Sequence, residues 1–284
     1  MSDNPQVSPD SFFRLGFGVL AVSGPDAVKF LHAQCMSDVA ALAAGHWQWS
    51  GWLTPKGRVI ALFALLKVEE QTVWLVVPDA DPATLGARLK RFVFRSKLAI
   101  EVRDDLVAAG AFQAPQRAEG ARLAGSATEG VEMDMGAEGG HRTLRFAART
   151  AVEDAVALAR WTRFDLAHGL PRLPPSQAEQ WTPQMLSLER LRAFSVKKGC
   201  YPGQEIVART HFLGQAKRGL ALLEGEALPD VGAEVRAGGQ AVGTLVSRAE
   251  GLALAVLPLE HDIGALSVGD VPVRERALIG GLAR

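Results

Sequence analysis

The sequence predicts an α+β fold followed by a separate all-β unit, and three observations lead there. Trp47 to Thr54, Arg58 to Val68 and Thr72 to Val77 are strand-like runs joined by Pro55-Lys56-Gly57 and Glu69-Glu70-Gln71, the pattern of an antiparallel hairpin series. Segments with helical spacing are interspersed with these and later strands rather than replacing them. From Lys217 onward the texture changes to short strands separated by glycine every ~8–12 residues, which suggests a small barrel or sandwich.

In chain order, Met1 to Asp10 is polar, with neither a basic start nor a hydrophobic stretch, and reads as a short disordered lead-in rather than a signal peptide. Val19 to Val22 is a strand. Gly24-Pro25-Asp26 opens a helix through Ala33 with Val28, Leu31 and Cys35 on one buried face. After the hairpins, Asp81 to Val93 has helical spacing, with Leu85, Leu89 and Phe92 on one side. Ala99 to Arg103, Val107 to Phe112 and Arg142 to Ala148 read as strands, and Ala114 to Gly140 as loops and short strands. Val152 to His168 is an amphipathic helix. Thr182-Pro183, a capping hydroxyl before proline, starts another that buries Met185, Leu188 and Leu191. The clearest boundary falls near Gln215.

Composition narrows the function classes. An apolar fraction of 48% with 22% charged residues is that of a soluble globular chain, and no apolar run reaches the ~18 residues of a membrane span. Formal net charge is zero, so nucleic acid or an anionic membrane would need a local patch. Two cysteines are too few for a disulfide framework or an unaided metal site, which fits a reducing cytoplasm. His32 and Cys35 lie three apart on a helix, but nothing nearby completes a metal set, so no metal site is expected.

Lys197-Lys198-Gly199-Cys200-Tyr201-Pro202-Gly203-Gln204-Glu205 carries the chemistry. Two glycines and a proline impose a tight backbone path, and Gln204 to Phe212 can form a helix closed by Gly214. Cys200 then precedes a helix N-terminus, with two ammonium groups upstream. Both place positive potential near sulfur and favour the thiolate. These residues leave two readings open: a working thiol (nucleophile, redox group or transient cluster ligand) or a small residue filling a turn.

Lys198-Gly199-Cys200-Tyr201, one variable position, then Gly203-Gln204-Glu205 resembles the signature of the folate-binding YgfZ family of iron–sulfur cluster assembly factors. Val207-Ala208-Arg209, Gly214 and Lys217-Arg218 extend the match. Gly24, Asp26-Ala27, Phe30-Leu31, Gln34, Asp38-Val39, Thr54-Pro55, Gly57-Arg58 and Arg95-Ser96-Lys97 are similar to the family's upstream motifs, so the likeness covers nearly the whole chain. It implies the fold of the glycine cleavage T-protein, an aminomethyltransferase. Two interwoven α+β subdomains (residues 1–215) would surround a central channel that binds tetrahydrofolate, and a C-terminal β-barrel (residues 216–284) would follow.

The resemblance implies a tetrahydrofolate-binding accessory protein supporting assembly or repair of iron–sulfur enzymes, with Cys200 as active thiol aided by Lys198. The rival readings are a folate-dependent aminomethyl or methyl transferase and an RNA-associated protein affecting tRNA modification. Against the transferase, T-proteins carry a catalytic aspartate where this chain has Val59-Ile60-Ala61-Leu62, so nothing there stabilises an iminium-like charge. Ser187 stands where the family commonly has Asn before Leu. The candidate folate contacts are Ser187, Glu205 and Arg95 with Trp47, Trp49 and Trp52, which are able to stack on a pterin, although core packing is the commoner use of tryptophan in strands. The run Arg88 to Lys97, with five positive charges and no acid, is either a solvated face or a site for a glutamyl tail, RNA or an acidic partner.

Overall fold

The computed structural model describes residues 12–148, 151–214, 216–260 and 265–284. The lead-in Met1 to Asp10 and the boundary at Gln215 lie outside them. The chain opens with β1 (Phe13–Leu15) and β2 (Gly18–Ser23), then α1 (Ala27–Gln34), β3 (His46–Leu53), β4 (Val59–Glu69), β5 (Thr72–Val77), α2 (Pro82–Lys90) and β6 (Ala99–Val102). There follow β7 (Val107–Ala111), β8 (Ala124–Ser126), β9 (Gly130–Asp134), β10 (Thr143–Ala147), α3 (Ala155–Ala167) and α4 (Gln204–Phe212). The last part is β11 (Arg218–Glu224), β12 (Glu234–Ala237), β13 (Gln240–Ala249), β14 (Leu252–Pro258), β15 (Leu266–Val268) and β16 (Val271–Arg276).

Two five-stranded sheets form the larger part. One has the order β3-β4-β5-β2-β6, the other β1-β7-β10-β9-β8. Because β1 pairs with β7 across the whole intervening sheet, the two halves are interwoven rather than consecutive. The first of these sheets is buried on both sides, which explains why Val59 to Val68 reads as a nearly unbroken apolar run. Side chains alternate between its faces. Leu20, Val22, Phe63, Leu65, Leu75 and Val77 meet α1 and α2. Val19, Ala21, Leu62, Ala64, Trp74 and Val76 face the second sheet.

Local chemistry sets the helix starts. Asp81 accepts the Thr84 N–H at 2.7 Å ahead of Pro82, and Asp154 accepts the Ala157 N–H at 2.9 Å. The C-terminal strands close into a barrel of order β11-β14-β13-β12-β15-β16, filled by Leu223, Val235, Leu245, Ala255 and Val268. The tail then leaves the barrel and returns. Ile279 N–H reaches Ala167 O at 2.9 Å, Trp49 Nε1 donates to Leu282 O at 2.8 Å, and Arg284 donates to Asp134 O and Gly136 O.

Two expectations need correction. The helix from Thr182 is instead a series of turns and one 3-10 turn, Leu188–Leu191. Thr182 Oγ1 does accept the Met185 N–H at 3.3 Å, but Ser187 and Arg192 take left-handed φ of +47° and +56°. Tertiary bonds hold this shape: Gln184 Nε2 donates to Val207 O at 2.9 Å, and Ser187 Oγ accepts the Leu220 N–H at 3.0 Å. Non-local contacts have overridden a local propensity. Likewise, α2 ends at Lys90, so Phe92 lies past the helix and is 53% exposed instead of buried.

Candidate functional site

The motif loop rests on three supports. The Lys198 side chain is buried, and its ammonium donates to the carbonyls of His32, Cys35 (2.6 Å) and Ser37 (3.0 Å) at the C-terminal end of α1. A cation there also complements the helix dipole. The Tyr201 ring lies 4.8 Å from that ammonium, its hydroxyl donates to Ser195 O at 3.1 Å, and Gln204 Nε2 donates to Lys198 O at 3.0 Å. Finally, Gly203 (φ +78°) packs on the β3–β4 turn. A Cβ here would fall 2.6 Å from Thr54 O and 2.7 Å from Gly57 Cα, so only glycine fits. The separated motifs thus meet: Thr54 and Gly57 on Gly203, the end of α1 on Lys198, and Asp26 Oδ2 on the Lys97 N–H at 2.7 Å.

Between these anchors Gly199 and Cys200 are exposed. Cys35, the other thiol, is buried beside Ser50, and burial pushes it up to about 12. Lys198 is drawn down to about 8, burial outweighing the pull of Cys35 and Asp38. Its three protons are taken by carbonyls at and just beyond the end of α1, so it anchors the loop, a structural role that the sequence did not show beside the catalytic one expected of it. In native protein, iodoacetamide should modify Cys200 about tenfold or more faster than Cys35, read by mass spectrometry of peptides. Equal rates would contradict the burial difference.

The residues expected to contact folate are not gathered in one place. Trp47 and Trp49 point to one face of β3 and Trp52 to the other, so they form no common stacking platform. Trp47 and Trp49 meet edge to face at 5.3 Å, and their indole N–H groups are taken by Gly120 O and Leu282 O. Ser187 ties the 3-10 segment to the barrel, Glu205 is exposed on the first turn of α4, Arg209 is exposed in its last turn, and Arg95 is exposed beside Phe94.

Of these residues, Trp49 alone lines the cavity between the two sheets, with Phe17, Leu62, Ala64, Met135, Leu144, Asp165 and Arg172. The cavity is narrow, about 20 Å³. Its polar end went unnoticed in the sequence. Asp165, 1% exposed, accepts Arg142 Nη1 at 2.7 Å and lies 3.6 Å from Arg172 Nη1; Arg172 in turn pairs with Asp79 at 2.8 Å. The hint in the sequence is a carboxylate between Phe164 and Leu166 near the end of the amphipathic α3. A wider groove of about 410 Å³ on the second sheet is lined by residues including Phe12, Arg117, Glu132 and Arg145, but Glu132 and Arg145 neutralise each other at 2.6 Å.

Across nearly its whole length the chain has the fold of a solved glycine cleavage system aminomethyltransferase T, from Bartonella henselae. The TM-score is 0.69 at 16% identity, covering 96% of this chain and 85% of that one. Residues 217–277 match the model of the CAF17 C-terminal β-barrel domain. Among curated relatives, "tRNA-modifying protein YgfZ" of Serratia proteamaculans is 28% identical over 88% of this chain and 84% of its own. The protein of the same name from Klebsiella pneumoniae is 28% identical over 77% and 73%. An uncharacterized protein of Haemophilus influenzae is 29% identical over 81% of each. The architecture is therefore T-protein-like, and the likeness to proteins named YgfZ over most of the chain, with the barrel match, fits the YgfZ family.

Proposed function

We propose that the chain is a tetrahydrofolate-binding accessory protein that supports assembly or repair of iron–sulfur enzymes, with Cys200 as its working thiol. The observation that carries this reading is Cys200 itself: an exposed sulfur in a loop anchored on either side by Lys198, Tyr201 and Gln204. A thiol used only for packing needs no such exposure, and one that meets a protein-borne cluster does. The relatives' name adds tRNA modification as a process this support serves.

For the folate, the cavity between the sheets has suitable chemistry: apolar walls, the rings of Phe17 and Trp49, and an acceptor and donor in Asp165 and Arg172. Its present width admits about one water, so binding entails parting the lining side chains. Reduced folate should raise the melting temperature in a saturable way, because a ligand that binds only the folded state stabilises it by mass action. No shift at ~1 mM tetrahydrofolate, in protein shown to be folded, would remove the folate from this account.

The transferase reading receives no support from β4, where Val59 to Leu62 are all buried and apolar. No aminomethyl transfer from a lipoyl-bound donor to tetrahydrofolate is expected in a coupled glycine-cleavage assay. Turnover abolished by substitutions in the cavity would reverse that conclusion.

A further inference from the structure

Past the end of α2 the chain presents an exposed surface that neither the thiol loop nor the cavity uses. Phe92 and Phe94 are 53% and 76% exposed. Both rings are braced. Phe92 meets Trp52 edge to face at 5.7 Å, Trp52 is covered in turn by the Arg88 guanidinium at 5.3 Å, and Arg95 lies 5.0 Å from the Phe94 ring. Arg95 reaches this position through a left-handed φ of +54°. Around the rings Lys90, Arg91, Arg95 and Lys97 are exposed and make no ion pair among the described residues. Arg88 is already paired with Glu179 at 2.8 Å. Two acids meet this segment: Glu179 pairs with Arg88, and Asp26 accepts the Lys97 N–H. The patch is thus cationic on a chain whose formal net charge is zero.

We infer that this surface, Lys90 to Lys97, docks an unpaired stretch of polynucleotide, with phosphates on the cations and bases stacked on Phe92 and Phe94. Single strands are held by this combination, because every base has a π-face and every linkage a negative charge. The alternatives fit less well. An acidic peptide has no use for two exposed rings. A bilayer-inserting hook would be expected to carry aliphatic side chains beside the rings, whereas the segment's one aliphatic residue between them, Val93, is half-buried.

Fluorescence anisotropy of the full chain with labelled 12-nucleotide single-stranded RNA and DNA, the corresponding duplexes, and vesicles containing phosphatidylserine tests this inference. Single strands should bind with an affinity that falls as salt rises, at a log–log slope of about −0.7 per phosphate contacted. Phe94→Ala should weaken single-strand binding about tenfold. Its ring is mostly in solvent and no core residue rests on it, so an unchanged melting temperature is expected. Arg91→Gln with Arg95→Gln should flatten the salt slope. RNA bound more tightly than DNA, or the reverse, identifies which polymer the surface prefers; either result supports the inference. No binding to single strands, binding insensitive to Phe94→Ala, duplex bound as well as single strand, or binding to vesicles alone would overturn it.

Discussion

Asp165→Ala should destabilise the protein by about 3–5 kcal/mol, the usual consequence of removing one partner from a buried ion pair. Arg142 is 0% exposed, and its guanidinium lies between the rings of Trp161 (4.2 Å) and Phe164 (3.9 Å). It donates to Met135 O at 3.2 Å and Trp161 O at 3.3 Å, but Asp165 is its counter-ion, with Nη1 to Oδ1 at 2.7 Å. Burial already pulls Arg142 below its ordinary value. Removing the carboxylate leaves a desolvated cation that can neither escape to water nor readily lose its proton. Urea denaturation measures the loss. Arg142→Met combined with Asp165→Leu should recover most of it, because an apolar pair carries no desolvation cost. A loss below about 1 kcal/mol in Asp165→Ala would mean that water reaches the pair.

Lys198→Met should cost about 2–4 kcal/mol, since hydrogen bonds to a charged group are strong and the carbonyls of His32, Cys35 and Ser37 would lose their shared donor. Methionine keeps the unbranched side chain as far as its ε atom, so the change chiefly removes the ammonium. The pH dependence gives a signature. The folded-state value of Lys198 is lowered to about 8, against roughly 10.4 in an unfolded chain. Between those values the unfolded state binds more protons, so wild-type stability gains as pH rises through the window, and the charge penalty is fully present below it. The stability gap between wild type and Lys198→Met should therefore widen from pH 8 to pH 10. A gap constant across that range would show that Lys198 titrates normally, and a negligible gap at pH 7 would deny it the anchoring role.

Much of the fold was legible because the signals were local. Turn residues between apolar runs placed β3, β4 and β5 to within a residue or two, Gly24-Pro25-Asp26 marked the start of α1, and apolar spacing placed α2 and α3, the latter starting three residues later than the spacing predicts. The change of texture after Lys217 marked the barrel. What sequence could not give was set by distant partners. The segment after Thr182 carries a strong helix start, yet bonds from Gln184 to Val207 and from Leu220 to Ser187 bend it into turns. Of the site, the motif loop could be found by its glycines and its lysine, but not what they touch. Lys198 reads as an electrostatic neighbour of Cys200, and only the fold shows that its ammonium also holds the end of α1. Three tryptophans in one strand read as a cluster until the alternation of side chains divides them between two faces. Asp165 and Arg172 are seven residues apart and unremarkable in sequence; only the cavity between the sheets gives them a joint meaning.

The most direct test of the central claim is complementation. In a strain lacking this gene, Cys200→Ser and wild type are expressed to equal levels, and the activity of an iron–sulfur enzyme that depends on the protein is measured. Cys200 is exposed and its side chain bears none of the loop's anchoring bonds, so the variant should fold with wild-type stability. Serine has nearly the same size, but its hydroxyl stays protonated at neutral pH and replaces neither a redox thiol nor a cluster ligand. The expected result is folded Cys200→Ser protein with no rescue, beside full rescue by wild type and by Cys35→Ala to the extent that it folds. Full rescue by Cys200→Ser would show that the loop serves structure alone and that the thiol has no part in the function.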